Sequence, residues 1–178
     1  AGRCPREMRK SGQRFQVCYE PWSMDVEFLR KVPLFEGLTS AQLRKLMAAL
    51  KKVDFPGSSH IFREGEPGTS MFLITDGKVR ISKMVPGIGE EALAILEKGQ
   101  YFGEMSLIED GPRSADAIAH TSCELYELSR DKLDQVMFTD KELASVLLWT
   151  FVRTLSARLR ETNDKIRAFF ALSSFGPR

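Results

Sequence analysis

The sequence predicts a mainly β member of the α+β class, an antiparallel β-roll or jelly roll flanked by N-terminal and C-terminal helices. Three observations support this fold. Seven short runs of alternating or β-branched residues lie between residues 51 and 128, with glycines between them. Asp76-Gly77 separates two of these runs and is typical of a tight β-hairpin. On both sides of this region the apolar residues recur at helical spacing.

The predicted strands are short and close together, as in a roll whose strands cross between two sheets. They span residues 51–55, 60–63, 71–75, 78–84, 91–96, 114–119 and 123–128. The 51–128 segment therefore forms the β-roll of a single domain that we place at residues 24–178.

Two short helices are predicted within residues 24–50. Asp25 is a suitable N-cap for the first, which extends to Val32 before Pro33 ends it. Thr39 or Ser40 caps the second. The apolar residues of this second helix recur at helical spacing: Leu43, Leu46, Met47 and Leu50.

The C-terminal segment, residues 129–170, is predicted to be helical. Ser129 is a suitable N-cap for a helix over residues 131–138, and a longer helix follows from Asp140 to about Phe170. Seven residues of the longer helix follow a 4-3 heptad spacing: Leu148, Val152, Leu155, Leu159, Thr162, Ile166 and Phe169. This stripe is either the seam of a homodimer or a face that packs on its own β-roll.

Residues 1–23 are rich in arginine, lack periodicity and are predicted to form a flexible basic arm. Residues 1–24 contain five cations and two anions, whereas the whole 178-residue chain has a net charge of only +2. The body is thus nearly neutral, which does not indicate a nucleic-acid-binding domain.

The cysteines and the hydropathy pattern predict a cytoplasmic protein. The three cysteines, Cys4, Cys18 and Cys123, suit neither a disulfide framework nor a metal site. Residues 143–152 form the longest mostly apolar stretch, and it is too short for a membrane span. No signal peptide is expected, and the start at Ala1 suggests a fragment or a processed chain.

Residues 101–115 are the segment that carries chemistry. Gly103 permits a tight turn, and a helical turn over residues 104–108 has backbone N–H groups without intrahelical partners. Such a turn binds an anion, and the guanidinium of Arg113 can hold two phosphate oxygens. Glu104 is placed to accept a hydrogen bond from a hydroxyl beside that phosphate. The open alternative is a structural ion pair between Glu104 and Arg113.

At these residues the sequence resembles the cyclic-nucleotide-binding domain family, which includes protein kinase A regulatory subunits, cyclic-nucleotide-gated channels and bacterial catabolite activators. The phosphate-binding cassette of that family is similar to Phe-Gly-Glu-Met-Ser-Leu at 102–107 and Pro-Arg-Ser-Ala at 112–115. Upstream segments also resemble the family, at residues 55–57, 61–68, 71–74 and 77–81. The resemblance covers about residues 28–165.

The resemblance implies a role for each matching residue. Glu104 would bind the ribose 2′-OH and Arg113 the cyclic phosphate, with the C-terminal helices closing over the ligand as a lid. Backbone groups around the phosphate would come from four cassette residues: Gly103, Met105, Ser106 and Ala115. Phe102, which precedes them, is a further candidate binding residue. The purine would lie against the inner face of the roll, with three candidate contacts: Ile81, Leu93 and Ala94. Ser114 is compatible with adenine or guanine as the bound base, and cAMP is favoured over cGMP.

The competing functions are an enzyme and a transcription regulator. A cupin-type enzyme needs clustered histidine ligands, and only His60 and His120 are present. A transcription regulator needs a helix-turn-helix, for which the eight residues after Phe170 are too few. We therefore predict a regulatory sensor without cofactor, metal, membrane or DNA contact. The alternative is a truncated sensor part of a regulator, and the effector protein is unknown.

Overall fold

The computed structural model describes residues 26–109 and 111–173. The predicted arm, the Asp25 cap, Cys4 and Cys18 lie outside the described residues. The helices are α1 (Val26–Arg30), α2 (Ser40–Ala49), α3 (Met105–Glu109), α4 (Arg130–Thr139) and α5 (Lys141–Ser173), with a 3₁₀ turn at Pro33–Phe35. The strands are β1 (Lys51–Phe55), β2 (His60–Phe62), β3 (Ser70–Asp76), β4 (Val79–Val85), β5 (Gly89–Leu96), β6 (Tyr101–Phe102), β7 (Asp116–Ala119) and β8 (Cys123–Ser129).

The strands form two four-stranded antiparallel sheets. The first has the order β1-β8-β3-β6 and the second the order β2-β7-β4-β5. Neighbouring strands are distant in sequence in most pairs, as when Leu73 of β3 lies opposite Tyr126 of β8. The chain crosses repeatedly between the sheets, which confirms the predicted antiparallel roll with flanking helices.

The turn at Asp76-Gly77 is not the hairpin that the sequence suggests. It connects β3 of the first sheet to β4 of the second, and the two strands do not pair. Gly77 has a φ of 86°, and a Cβ there would lie 2.3 Å from the carbonyl oxygen of Ser122. The glycine is required because the turn is left-handed and presses against the neighbouring loop. The tight hairpin instead joins β4 and β5, where Val85 lies opposite Gly89.

Two hydrophobic clusters hold the fold together. One lies between the sheets and includes Phe72, Phe102, Ala117 and Leu125. The other lies between the first sheet and the helices. It joins residues of both ends of the chain to the outer face of that sheet: Leu29, Leu34, Leu43, Leu46, Met71, Leu73, Leu128, Leu143, Leu147 and Phe151. Strand β3 is buried on both faces because it separates the two clusters.

Side-chain caps begin two of the helices. Thr39 caps α2 through a reciprocal capping box with Gln42, which selects Thr39 over Ser40 as the cap. The Asp140 carboxylate accepts a hydrogen bond of 3.0 Å from the Leu143 N–H at the start of α5. Ser129 occupies the N-cap position of α4, but its side chain makes no capping hydrogen bond. The sequence did not predict the two-residue strand β6, which forms the start of the cassette.

Most of the apolar stripe of α5 is exposed rather than packed on the β-roll, although Leu155 is half-buried and the Phe169 side chain lies outside the described part. Leu148, Val152, Leu159 and Ile166 are each about half exposed or more. Among the described side chains of α5, those that are buried are Leu143, Ala144, Leu147 and Phe151. At about 100° per residue these are centred on a face of the helix that adjoins the stripe. In the described part of the chain, no helix is long and apolar enough to cross a membrane.

Candidate functional site

The cassette, residues 101–115, runs from β6 to the residue before β7, and the loop at residues 65–68 fixes its far end. The Arg113 N–H donates to the Glu66 carbonyl at 2.8 Å, and the Gly65 N–H donates to the Arg113 carbonyl at 2.9 Å. Pro67 and Pro112 form an isolated antiparallel bridge beside them. The backbone N–H and the backbone carbonyl of Arg113 are therefore both held by the 65–68 loop, independently of its side chain.

Gly103 shapes the turn between β6 and α3. Its φ of 79° is left-handed, and a Cβ at this position would lie 2.7 Å from Nη1 of Arg113 and 3.3 Å from the Ser70 carbonyl oxygen. Glycine is required for the backbone conformation and for the close approach of the guanidinium. The Glu104 carbonyl then accepts the first helical bonds, from the N–H groups of Leu107 and Ile108. The N–H groups of Met105 and Ser106 precede these bonds, as expected for a first turn.

The Arg113 side chain is buried and anchored on one edge. Only 5% of the residue is exposed. Its Nη1 donates to the Ser70 carbonyl at 2.6 Å and to the Gly103 carbonyl at 3.0 Å, and its Nη2 lies 3.3 Å from the Ser70 hydroxyl. The guanidinium carbon lies 4.0 Å from the centroid of the Phe62 ring. These contacts set both the position and the plane of the guanidinium.

The opposite edge of the Arg113 guanidinium has donor capacity to spare. Nε is buried and has no hydrogen-bond partner among the described residues. The Nε–H and one N–H of Nη2 form the edge that grips two oxygens of a phosphate or carboxylate side by side. Burial lowers the pKa of Arg113, opposed by the charges of Glu127, Glu66 and Glu104, but an arginine stays charged in a protein. A buried cation with an open donor edge favours an anion.

Glu104 is the second buried charge of the site. It is 1% exposed, and its carboxylate accepts a hydrogen bond from Nη1 of Arg158 on α5. Arg158 also places Nη2 3.4 Å from the Tyr101 carbonyl oxygen. Burial raises the pKa of the Glu104 carboxyl above its usual value, and the Arg158 guanidinium opposes that rise. The carboxylate is thus directly connected to the C-terminal helix.

Glu104 and Arg113 do not form an ion pair with each other. Arg113 binds carbonyl and hydroxyl oxygens, and Glu104 pairs with Arg158. The structural ion pair that the sequence left open is therefore absent between these two described residues. Two buried charges of opposite sign instead flank one turn, an arrangement suited to a ligand with an anionic group beside a hydroxyl donor.

The other cassette residues have different exposures. Phe102 is 3% exposed and stacks on Phe72. Ser106 is also 3% exposed and lies against Gly68 of the loop at residues 65–68. Met105 and Ser114 lie at the surface, with the Ser114 hydroxyl 3.9 Å from the Met105 sulfur. Ala115 is 7% exposed and directly precedes β7.

The three residues predicted to face a base are not equivalent. Ile81 is half-buried and packs against the cluster between the sheets. Ala94 lies directly opposite it on β5 and is exposed. The pairing shifts by one residue beyond this pair, so Leu93 is the extra residue of a β-bulge and is 52% exposed. Contact of any of the three with a ligand remains a prediction.

Sequence reasoning missed two arginines at the site. Arg158 is 54 residues from Glu104, and its spacing does not distinguish it from Arg153 or Arg160 on the same helix. Arg130 at the start of α4 donates to the Ser106 carbonyl, and its Nη2 lies 3.4 Å from the Gly68 carbonyl oxygen. Arg130 thereby ties the cassette helix to the loop before β3. Only the position of Arg130 directly after a helix cap, Ser129, singles it out in the sequence.

In the part of the chain that the structure describes, no group of three or more His, Cys, Asp or Glu side chains is placed to hold a metal ion.

Comparison with known proteins gives a further line of evidence on the family of this chain. The family model described as "Cyclic nucleotide-binding domain" matches residues 52–140, half of the chain.

Individual relatives are similar over larger parts of the chain. A "CRP-like cAMP-activated global transcriptional regulator" of Mycobacterium tuberculosis is 34% identical over 140 residues, which cover 79% of this chain and 61% of the relative. Human "cGMP-dependent protein kinase 2" is 28% identical over 171 residues, covering 83% of this chain and 22% of the kinase. The chain thus spans less than two thirds of either relative.

Among solved structures, a cyclic nucleotide-binding domain from Methylobacillus flagellatus has a TM-score of 0.72 and 31% sequence identity. The similarity covers 80% of each chain. The fold, the sequence identity to relatives and the family model therefore all indicate the same kind of domain.

Proposed function

The chain belongs to the cyclic nucleotide-binding domain family, and on this premise we propose that it is a regulatory sensor that binds a cyclic mononucleotide and relays its occupancy through α5. One observation carries the proposal. Arg113 is buried, anchored through Nη1, and has an Nε without a partner among the described residues. A cyclic phosphate carries one negative charge and two free oxygens, which match that donor edge.

Glu104 supports the same ligand. Its buried carboxylate lies one residue after the Gly103 turn that contacts Arg113. The ribose of a 3′,5′-cyclic nucleotide has a free 2′-OH next to the phosphate ring, and a carboxylate is a strong acceptor for it. The predicted backbone donors of Met105 and Ser106 would complete the phosphate site.

The relay follows from the Arg158 contact. The ligand hydroxyl and the Arg158 guanidinium both bind the Glu104 carboxylate, so ligand binding changes the environment of a residue on α5. Because a ligand shifts a conformational equilibrium only through a difference in its contacts, this shared acceptor supplies the required coupling. We propose that the position of α5 beyond Arg158 reports occupancy.

We propose that cAMP is the preferred ligand. The bacterial relative named as cAMP-activated is 34% identical, compared with 28% for the cGMP-dependent kinase. The exposed Ser114 hydroxyl is compatible with either base, since the sequence resemblance gives this position a role in guanine recognition in some family members. cGMP is therefore the comparison ligand in every titration.

We further propose that the chain acts as a homodimer and passes its signal to an effector protein without catalysing a reaction. The apolar stripe on α5 supports the dimer, since Leu148, Val152, Leu159 and Ile166 are each about half exposed or more. A cytoplasmic location would keep Cys123, a buried free thiol, reduced.

Calorimetric titration of the wild type, Arg113→Ala and Arg113→Lys with cAMP and cGMP tests the function. Loss of a charge-assisted, bidentate contact costs about 2–3 kcal/mol, so Arg113→Ala should weaken cAMP binding at least about 10-fold. Arg113→Lys keeps the positive charge but loses the two-pronged guanidinium contact. Its affinity for cAMP should therefore lie between those of the wild type and Arg113→Ala. Arg63→Ala, which removes an exposed guanidinium near the same loop, is the matched control and should bind as the wild type does.

Two results would contradict the proposal. The first is a wild type that binds neither nucleotide. The second is a folded Arg113→Lys variant with the wild-type dissociation constant. Far-ultraviolet circular dichroism of each variant verifies that the fold is retained.

A further inference from the structure

The plane of the Arg113 guanidinium is set by an aromatic ring. The guanidinium carbon lies 4.0 Å from the Phe62 ring centroid and 5.9 Å from that of Phe72. The shorter distance is that of a guanidinium stacked on a ring face, where the ring quadrupole attracts the cation. The hydrogen bonds of Nη1 to the Ser70 and Gly103 carbonyls and the 3.3 Å contact of Nη2 with the Ser70 hydroxyl hold one edge of the guanidinium. The Phe62 face lies against the plane itself and opposes rotation about that edge.

Phe62 is itself held by other rings. Its centroid lies 6.1 Å from Phe72 and 5.8 Å from Phe102, and Phe72 and Phe102 stack at 5.4 Å with an interplanar angle of 20°. Phe102 directly precedes the Gly103 turn. The three rings therefore connect the position of Arg113 to the start of the cassette through packed contacts between the two sheets.

We propose that Phe62 is a positioning residue, which orients the Arg113 guanidinium so that its Nε edge faces the ligand phosphate before the ligand arrives. This inference rests on the proposed function and deepens it. A side chain that is already ordered in its bound conformation has no ordering cost at binding. Without the ring, Arg113 would sample other orientations in the free protein, and the ligand would have to order it.

The first experiment needs no ligand. Side-chain Nε–Hε spectra are recorded for the wild type, Phe62→Leu, Phe62→Tyr and Phe55→Leu, with Arg113→Lys to identify the Arg113 signal. A guanidinium over a ring face has ring-current-shifted protons, and a buried Nε–H exchanges slowly with water. In Phe62→Leu the Arg113 signal should lose the shift and exchange faster, whereas Phe62→Tyr should retain both properties.

Phe55→Leu is the matched control. Phe55 is half-buried like Phe62 and contacts Phe72 edge to face at 6.4 Å, so its loss perturbs the same cluster. Phe55 has no stacking contact with Arg113 among the described residues, and its substitution should leave the Arg113 signal unchanged. A merely structural role for Phe62 predicts equal spectra in the two leucine variants.

The second experiment is titration of the same variants with cAMP. Ordering one flexible side chain costs about 0.5–1.5 kcal/mol, so Phe62→Leu should bind about 2- to 10-fold more weakly than Phe55→Leu, and Phe62→Tyr should bind as the wild type does. Equal affinity of the two leucine variants, or an unchanged Arg113 signal in Phe62→Leu, overturns the inference and leaves the proposed function standing. A wild type that binds no cyclic nucleotide overturns the proposed function, while the spectra still decide how Arg113 is held.

Discussion

The two halves of α5 differ in what surrounds them. From Lys141 to Arg158 the helix packs on the domain, with Leu143, Leu147 and Phe151 almost fully buried and Arg158 paired with Glu104. From Leu159 onward, every side chain that the structure describes is exposed. The heptad spacing nevertheless continues through both halves without a break.

The comparison shows that helical periodicity and burial are separate properties. The first half is held by tertiary packing, the usual source of helix stability in proteins. The second half presents apolar residues such as Ile166 to solvent, although an isolated helix of this length is only marginally stable in water. A partner that covers the stripe would remove this difference, and Arg158 lies at the boundary between the two halves.

The largest expected effect is on the free energy of unfolding, which should depend strongly on the first half of α5 and little on the second. Phe151→Ala should lower the free energy of unfolding by about 3–5 kcal/mol because it opens a cavity in the helical cluster. Leu159→Ala, a truncation in the exposed half, should change it by no more than about 0.5 kcal/mol. Urea denaturation of both variants, at concentrations where the mass is near the monomer value of 20.1 kDa, measures this. Similar losses in the two variants would show that the second half also packs on the domain.

An intermediate effect is expected at the boundary. Arg158→Met leaves the buried Glu104 carboxylate without its partner, and loss of a partner from a fully buried pair costs about 3–5 kcal/mol. The Arg158 side chain is 42% exposed, so we expect a smaller loss of about 1–2 kcal/mol at pH 7.

The pH dependence of this loss identifies its cause. Burial already raises the pKa of Glu104 in the folded state, and removal of Arg158 raises it further. A folded-state pKa above the unfolded one means that the folded protein loses stability as the pH rises between the two values. The cost of Arg158→Met should therefore be greatest at neutral pH and shrink towards pH 4, where Glu104 is protonated. A cost that is independent of pH would mean that Arg158 stabilises the fold by packing alone.

The smallest effect on the fold, and the clearest on assembly, is expected in the exposed half. Light scattering at tens of micromolar should give the wild type about twice the 20.1 kDa chain mass. Leu159→Glu with Ile166→Glu should return the mass to that of one chain, because charges in a coiled-coil seam oppose association. Ala157→Glu with Ala168→Glu, on the opposite exposed face, is the matched control. A wild-type mass near one chain, with or without cAMP, refutes the dimer.

The fold class and the cassette could be predicted from the sequence because both depend on local patterns. Alternating residues specify the strands, and seven of the eight are found within about two residues of their predicted ends. Gly103 permits a left-handed turn directly before Glu104, and Pro112 fixes the backbone directly before Arg113, so the two charged residues could be singled out together.

Only the tertiary structure determines which partners these residues have. Asp76-Gly77 predicts a turn, but the two sheets decide that its strands do not pair. The spacing of α5 predicts an apolar stripe, but packing decides that Leu147 is buried and Leu159 exposed. Phe62 is 51 residues from Arg113 in the sequence, and Arg158 is 54 from Glu104. Such contacts depend on the register and crossing of distant strands and helices, which local propensity does not encode. The residue types that the site needs thus lie within the short segment 101–115. The orientation of Arg113 by Phe62 and the contact of Glu104 with α5 arise only when the chain folds.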